Sequence, residues 1–173
     1  MSPINEKYKN IFLIGFMGAG KTTVGKILSE KIGFRYFDAD KFIENQSGKS
    51  ISDIFSEHGE DYFRGLETKS LEYIVTMEDQ VIATGGGVVT REENWEIMRK
   101  SGVTIYLKAP VEVIWERIQH NKSRPLLQVE NPLDTAKQIL NSRTHLYEQA
   151  DIIIETADLS PDQVSEEIIN ISR

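Results

Sequence analysis

Residues 15–22 read GFMGAGKT, the stretch of this chain whose residue types and spacing point to the most specific chemistry. It fits G-x-x-x-x-G-K-[ST]. Glycines let successive backbone N–H groups wrap around phosphate oxygens, Lys21 reaches the outer phosphates, and the Thr22 hydroxyl can ligate Mg²⁺. The apolar run Ile11–Ile14 precedes the motif and a helical pattern follows it. The phosphates would therefore meet a helix N-terminus, with its orphan N–H donors and partial positive charge. A glycine-rich turn that merely happens to precede a lysine has no need of that strand–loop–helix setting. The motif implies nucleoside triphosphate binding but no particular reaction. The guanine-reading N-K-x-D is missing, since Asn121-Lys122-Ser123-Arg124 ends in arginine and follows no strand. A long apolar strand ending in paired acids, as in ATP-driven motors, is also missing. A small-molecule kinase fits better.

Other residues suit the acceptor side of such a reaction. A second strand is expected to end in Asp38-Ala39-Asp40, and residues two apart in extended chain point the same way. One carboxylate could hold Mg²⁺, directly or through water, while the other takes a hydrogen bond, and a proton, from the hydroxyl under attack. The competing reading is a solvated turn in which Asp40 caps the next helix. Arg64 lies in a helical stretch with Glu60 and Glu67 at i−4 and i+3, the spacing of a routine surface ion pair. Gly65, at mid-helix beside it, suggests close approach by some other group. Arg143 continues an apolar stripe formed by Leu133, Ala136, Leu140 and Tyr147. An inward guanidinium needs an anion, either an internal carboxylate or a ligand.

Gly85-Gly86-Gly87 follow a third short apolar run. Three glycines are a costly way to turn a chain, each roughly 0.5–1 kcal/mol worse than alanine in ordered backbone. Bare backbone lying against a compact ligand explains them better than a strained connection would. The stretch Arg117 to Pro132 carries Arg117, His120, Lys122 and Arg124, and reads either as a solvated loop or as a basic lid over a triphosphate.

The elements that must position these groups alternate. Runs at Ile11–Ile14, Phe34–Phe37, Val81–Ala83, Val103–Leu107 and Ile152–Ile154 are mostly apolar on both faces, as in a parallel sheet covered by helices on each side. Between them Val24, Ile27, Leu28 and Ile32 share one helical face, as do Val111, Ile114, Trp115 and Ile118, and later Val164, Ile168 and Ile171. Thr90 with Glu93, and Ser160 with Pro161 and Gln163, have the form of helix-starting boxes, and Asn131-Pro132 resembles another entry. The expectation is one α/β domain over 1–173, with ligands in the crevice beyond the carboxyl ends of the strands.

The composition agrees: 173 residues, 39% hydrophobic and 27% charged, suit a single globular domain. A net charge of −7 argues against nucleic-acid binding through a broad basic surface, though not against a local anion pocket. With no cysteine, disulfides, thiolate metal sites and cysteine nucleophiles are excluded. No run approaches the ~18 apolar residues of a membrane span and no leader pattern opens the chain, so a cytoplasmic protein is expected.

The P-loop, Asp-Ala-Asp, Phe-Arg-x-x-Glu, Gly-Gly-Gly, Arg-Pro-Leu-Leu and Arg-x-x-x-Tyr, in this order and at these intervals, resemble the shikimate kinase family from about Ile11 to the final helix. Each motif is weak except the P-loop; six in register are specific. The resemblance implies a three-layer P-loop kinase fold, with a five-stranded parallel sheet in the order 2-3-1-4-5 and a mobile lid at about 117–131. It implies transfer of the γ-phosphoryl group of ATP to the 3-hydroxyl of shikimate, with Mg²⁺, on the way to chorismate. Gly18, Ala19, Gly20, Lys21, Thr22 and Thr23 would bind the phosphates, with Thr22 on the metal and Asp38 assisting it through water. Asp40 would hold the reacting hydroxyl as candidate base. Arg64 and Arg143 would grip the substrate carboxylate beside Gly85, Gly86 and Gly87. Arg124 would act on ATP from the lid, and Arg117 would lie near the adenine, with a further contact near Thr156–Ala157. Lys21, Asp40 and Arg124 are thus the expected catalytic residues of a monomer. Gluconate and nucleoside-monophosphate kinases share the loop and architecture, and a non-catalytic relative that only binds ligand is the remaining alternative.

Overall fold

The five apolar runs become five parallel strands. They are β1 (Asn10–Ile14), β2 (Arg35–Asp38), β3 (Gln80–Ala83), β4 (Val103–Lys108) and β5 (Ile152–Glu155). Their order is β2-β3-β1-β4-β5, as expected. The computed structural model describes residues 8–120 and 128–172. Its α-helices are α1 (Lys21–Ile32), α2 (Ala39–Ser47), α3 (Ile51–His58), α4 (Glu60–Ile74), α5 (Glu92–Ser101), α6 (Val111–Ile118), α7 (Pro132–Tyr147) and α8 (Pro161–Ile171).

Alternation along β1 assigns the two faces of the sheet. Ile11 and Leu13 join Val24, Leu28 and Ile32 of α1 and Val164 and Ile168 of α8 in one core. Phe12 and Ile14 join Leu71, Trp95, Leu140 and Tyr147 in the other. Every β1 residue is buried, as the central strand of a covered parallel sheet should be. Ile171, expected on the inner face of α8, is half exposed where that helix ends. A third, smaller cluster of Ile43, Ile54 and Phe63 holds α2, α3 and α4 together apart from the sheet.

The helix starts differ in detail from the sequence expectation. Ser160 and Gln163 form a full capping box with Pro161 in the first turn. Pro132 opens α7, but the Asn131 side chain makes no cap bond. The Thr90–Glu93 box does not form: the Thr90 hydroxyl donates instead to the Gly87 carbonyl, 2.7 Å away, in a 3₁₀ turn at Val88–Thr90, and Arg91 takes the cap position of α5. The glycine turn just upstream claims the hydroxyl before the helix can. No helix among the described residues is long and apolar enough to cross a membrane.

Candidate active site

A cavity of about 650 Å³ opens at the carboxyl ends of β1, β2 and β3. Its two ends are built from different materials. At one end the loop after β1 turns into α1. Gly20 occupies the cap position at φ 99°, a left-handed conformation that β-carbons disfavour. No side chain caps α1 and its first turn holds no acid. The first-turn N–H groups and the positive end of the helix dipole are thus presented without an internal competitor. Lys21 Nζ donates to the carbonyls of Gly15 at 2.6 Å and Phe16 at 2.9 Å, and so lies along the loop. Arg117, from the last turn of α6, donates to the Gly18 carbonyl at 3.0 Å. Gly18, Gly20, Lys21, Thr22, Thr23 and Arg117 all line this cavity. Ala19 does not; it lines a neighbouring recess of about 290 Å³ with Arg117, Thr156 and Leu159. The Thr156 hydroxyl is already bonded to the Lys108 carbonyl.

Asp38 and Asp40 both line the cavity, by a route the sequence reading had wrong. The strand ends at Asp38 and α2 begins at Ala39, so the two acids do not share an extended segment. Asp38, not Asp40, is the cap: its Oδ1 accepts from Lys41 N–H at 3.0 Å. Tyr36, not singled out from the sequence, donates to the other oxygen of Asp38 at 3.4 Å and lies beside Thr22. Burial pushes its phenol up to about 12, so it stays protonated.

The far end of the cavity is a buried charge cluster. Arg64 pairs with Glu67 at 2.5 Å and Glu60 at 3.0 Å. The i−4 and i+3 spacing is used as expected, but the pair is not on the surface: Arg64 is 6% exposed and Glu67 4%. Arg143 is equally buried, with Glu60 4.0 Å away. Glu67 Oε1 is buried without a hydrogen-bond partner. Burial raises the Glu67 pKa, Arg64 works against that rise, and the Asp40 charge adds to it. For Arg64 burial acts downward, but Glu67 and Glu60 outweigh it, and the guanidinium stays charged.

The three glycines sit against this cluster. A β-carbon at Gly85 would lie 2.5 Å from Glu67 Oε1 and 2.8 Å from Asp40 Oδ1, and one at Gly87 would overlap the Arg64 guanidinium. The groups that approach this backbone so closely are the protein's own charged side chains, a reason the sequence reading assigned to ligand alone. At Gly86 the nearest atoms are backbone of the phosphate loop, Met17 N at 3.4 Å and Gly15 O at 3.5 Å. Gly65, by contrast, has nothing near it and owes nothing to close approach.

The structure therefore brings Lys21, Thr22, Asp38, Asp40, Arg64, Gly85, Gly86, Gly87, Arg117 and Arg143 to one cavity. Arg124 and residues 121–127 of the expected lid lie outside the described residues. Glu67 is the residue that sequence reasoning treated only as an ion-pair partner. Its Phe-Arg-x-x-Glu setting marked it, but nothing local showed that the pair would be buried.

A phosphate loop after the first strand of a 2-3-1-4-5 parallel sheet, opening on an acceptor pocket of carboxylates and arginines, defines a P-loop small-molecule phosphotransferase. The model of the shikimate kinase family matches residues 17–172. The chain belongs to the shikimate kinase family. Shikimate kinase of Thermodesulfovibrio yellowstonii is 50% identical over 161 residues, covering 93% of each chain. That of Persephonella marina is 44% identical, over 93% of this chain and 97% of its own. The solved structure of shikimate kinase from Acinetobacter baumannii in complex with shikimate superimposes with a TM-score of 0.92 at 40% identity, covering 96% of this chain and 93% of that one.

Proposed function

We propose that this chain transfers the γ-phosphoryl group of ATP to the 3-hydroxyl of shikimate, giving shikimate 3-phosphate and ADP on the route to aromatic amino acids. The observation that carries the reading is the buried pair Arg64 and Arg143 in one cavity with the phosphate loop and Asp40. Two guanidiniums suit a planar carboxylate. Bare backbone at Gly85–Gly87 suits a small rigid ring packed closely, and Asp40 suits the hydroxyl that attacks.

The residues divide the work as follows. Gly18 to Thr23 bind the phosphates through backbone N–H groups, and Lys21 swings from its loop carbonyls to the outer phosphates. Arg64, Arg143 and Gly86 hold the substrate by its carboxylate end, leaving its 3-hydroxyl toward Asp40. Asp40 orients that hydroxyl and accepts its proton as the new P–O bond forms and the bond to ADP breaks. Glu67 holds Arg64 in place. Arg117 borders the recess where the adenine would lie, beside Thr156 and Ala19. Arg124 is assigned to the transferring phosphoryl group, and 117–131 to a lid, on the family resemblance.

The donor set fits magnesium. Thr22 and Asp38 supply the hydroxyl and carboxylate oxygens that Mg²⁺ takes while keeping several waters, and Tyr36 holds the Asp38 carboxylate. Bound there, the ion would offset negative charge on the β- and γ-phosphates. A single domain acting as a cytoplasmic monomer completes the reading.

The test is ADP release with Mg-ATP, comparing shikimate, gluconate, AMP, CMP and no acceptor. Turnover with shikimate alone is expected. Turnover with gluconate or a nucleotide would mean the arginines were assigned to the wrong ligand. A folded protein that binds ATP but uses no acceptor would be a binding-only relative.

A further inference from the structure

We infer that Tyr147 is a positioning residue for the acceptor, linking the carboxylate-binding helix α7 to the glycine loop through its phenol oxygen. The side chain is fully buried, and its ring stacks on Tyr106 at 5.0 Å between centroids. A core ring at this place has no need of a hydroxyl, because burying one without a partner is costly. Both groups that act on this hydroxyl belong to the cavity wall. It donates to the Gly86 carbonyl at 2.5 Å, and the Arg143 guanidinium, one turn back on α7, lies close enough for its charge to act on the phenol. Gly86 in turn packs against the phosphate-loop backbone. This hydrogen bond therefore ties α7, the helix that carries Arg143, to the glycine loop at the seam with the nucleotide end. Burial pushes the phenol up to about 12, so it remains a donor at any working pH. Tyr106 offers the contrast: neither ring lines the cavity itself, but Tyr147 is hydrogen-bonded to Gly86, which does, whereas Tyr106 supplies the stacked ring.

This inference rests on the assignment of Arg143 and Gly86 to shikimate, so native turnover with shikimate is measured first. Its absence would remove both readings. With native turnover established, Tyr147→Phe deletes only the oxygen. We expect KM for shikimate to rise about tenfold, the loss of one hydrogen bond near a charged group. KM for ATP should stay within twofold and kcat within threefold. Tyr147→4-aminophenylalanine, which keeps a donor on the ring, should recover most of the loss. Tyr106→Phe should leave both KM values within twofold. Unchanged shikimate KM in Tyr147→Phe, or equal rises for both substrates, would overturn the positioning role. Should Tyr147→Phe not fold, the native protein supplies the test by amide hydrogen exchange. Shikimate should slow exchange at 85–87 and 143–147 together, and protection of the glycines alone would overturn the link.

Discussion

The two ends of the cavity present groups suited to anions by opposite means. The nucleotide end relies on backbone: one contiguous loop, an uncapped helix start and a lysine lying along loop carbonyls. The acceptor end relies on side chains drawn from distant segments: Asp40, Glu60, Arg64, Glu67, Arg143 and Tyr147, packed around bare backbone at 85–87. Backbone donors suit a ligand whose charge is large and repeated, since every phosphate presents similar oxygens. Buried guanidiniums suit a single carboxylate, whose position must be fixed relative to one hydroxyl. The first design tolerates water and motion. The second keeps charges desolvated, where a missing partner is costly.

That contrast orders the expected effects of substitution. Largest is Lys21→Met, which removes the positive charge proposed to meet the outer phosphates and should lower kcat by on the order of 10²–10³ with little change in melting temperature. Steady-state kinetics beside thermal unfolding checks it, and a kcat within fivefold of native would remove Lys21 from the chemistry. Next come two glycines, neither at positive φ, whose surroundings differ. Gly87→Ala should displace the Arg64 guanidinium, costing about 1–3 kcal/mol of stability and as much as ~10²-fold in kcat/KM for shikimate. Gly65→Ala, inside α4 with open space around it, should add about 0.5–1 kcal/mol and leave kinetics alone. Urea unfolding of both variants decides whether the triple glycine is there for the charge cluster.

The smallest effect concerns pH. The pKa of Glu67 is raised above the ordinary value of 4.5, chiefly by burial, with Arg64 opposing and Asp40 adding. Above about pH 4.5 the native state therefore binds more protons than the unfolded chain. This group's contribution is full below that pH and is lost as pH rises through the raised value. Glu67→Gln lacks that dependence, so its melting temperature relative to native should climb as pH is raised from about 4.5 toward neutrality. A difference constant with pH would show that Glu67 titrates alike folded and unfolded.

How far each end could be read from sequence follows from the same contrast. Residues 15–22 carry their geometry in consecutive glycines, so the phosphate end was legible without tertiary structure. The strands were legible to within a residue or so because the inner ones, covered on both faces, demand runs apolar on both sides, and the partly exposed edge strands β2 and β5 are short, mostly apolar runs as well. Arg143 was legible as inward-facing because a guanidinium within an apolar stripe requires an anion. The burial of the Arg64–Glu67 pair was not, because the same i, i+3 spacing serves exposed helices as well. Nor was the demand that Gly85 and Gly87 meet, since the side chains that crowd them lie about 20 and more residues away. Asp38 shows a local error of a different kind. Its carboxylate caps α2, so the strand ends two residues earlier than the extended reading required, and helical geometry rather than strand alternation brings Asp40 to the cavity.

The central claim is that the acceptor end recognises a carboxylate through buried guanidiniums. The most direct measurement is kcat/KM for shikimate against its methyl ester, at saturating Mg-ATP. The ester keeps the ring and all its hydroxyls but loses the charge. Two charge-assisted contacts at about 1.5–3 kcal/mol each predict a preference for the free acid of at least ~10²-fold. Equal use of acid and ester, within threefold, would mean that Arg64 and Arg143 serve the fold and that the acceptor is held elsewhere.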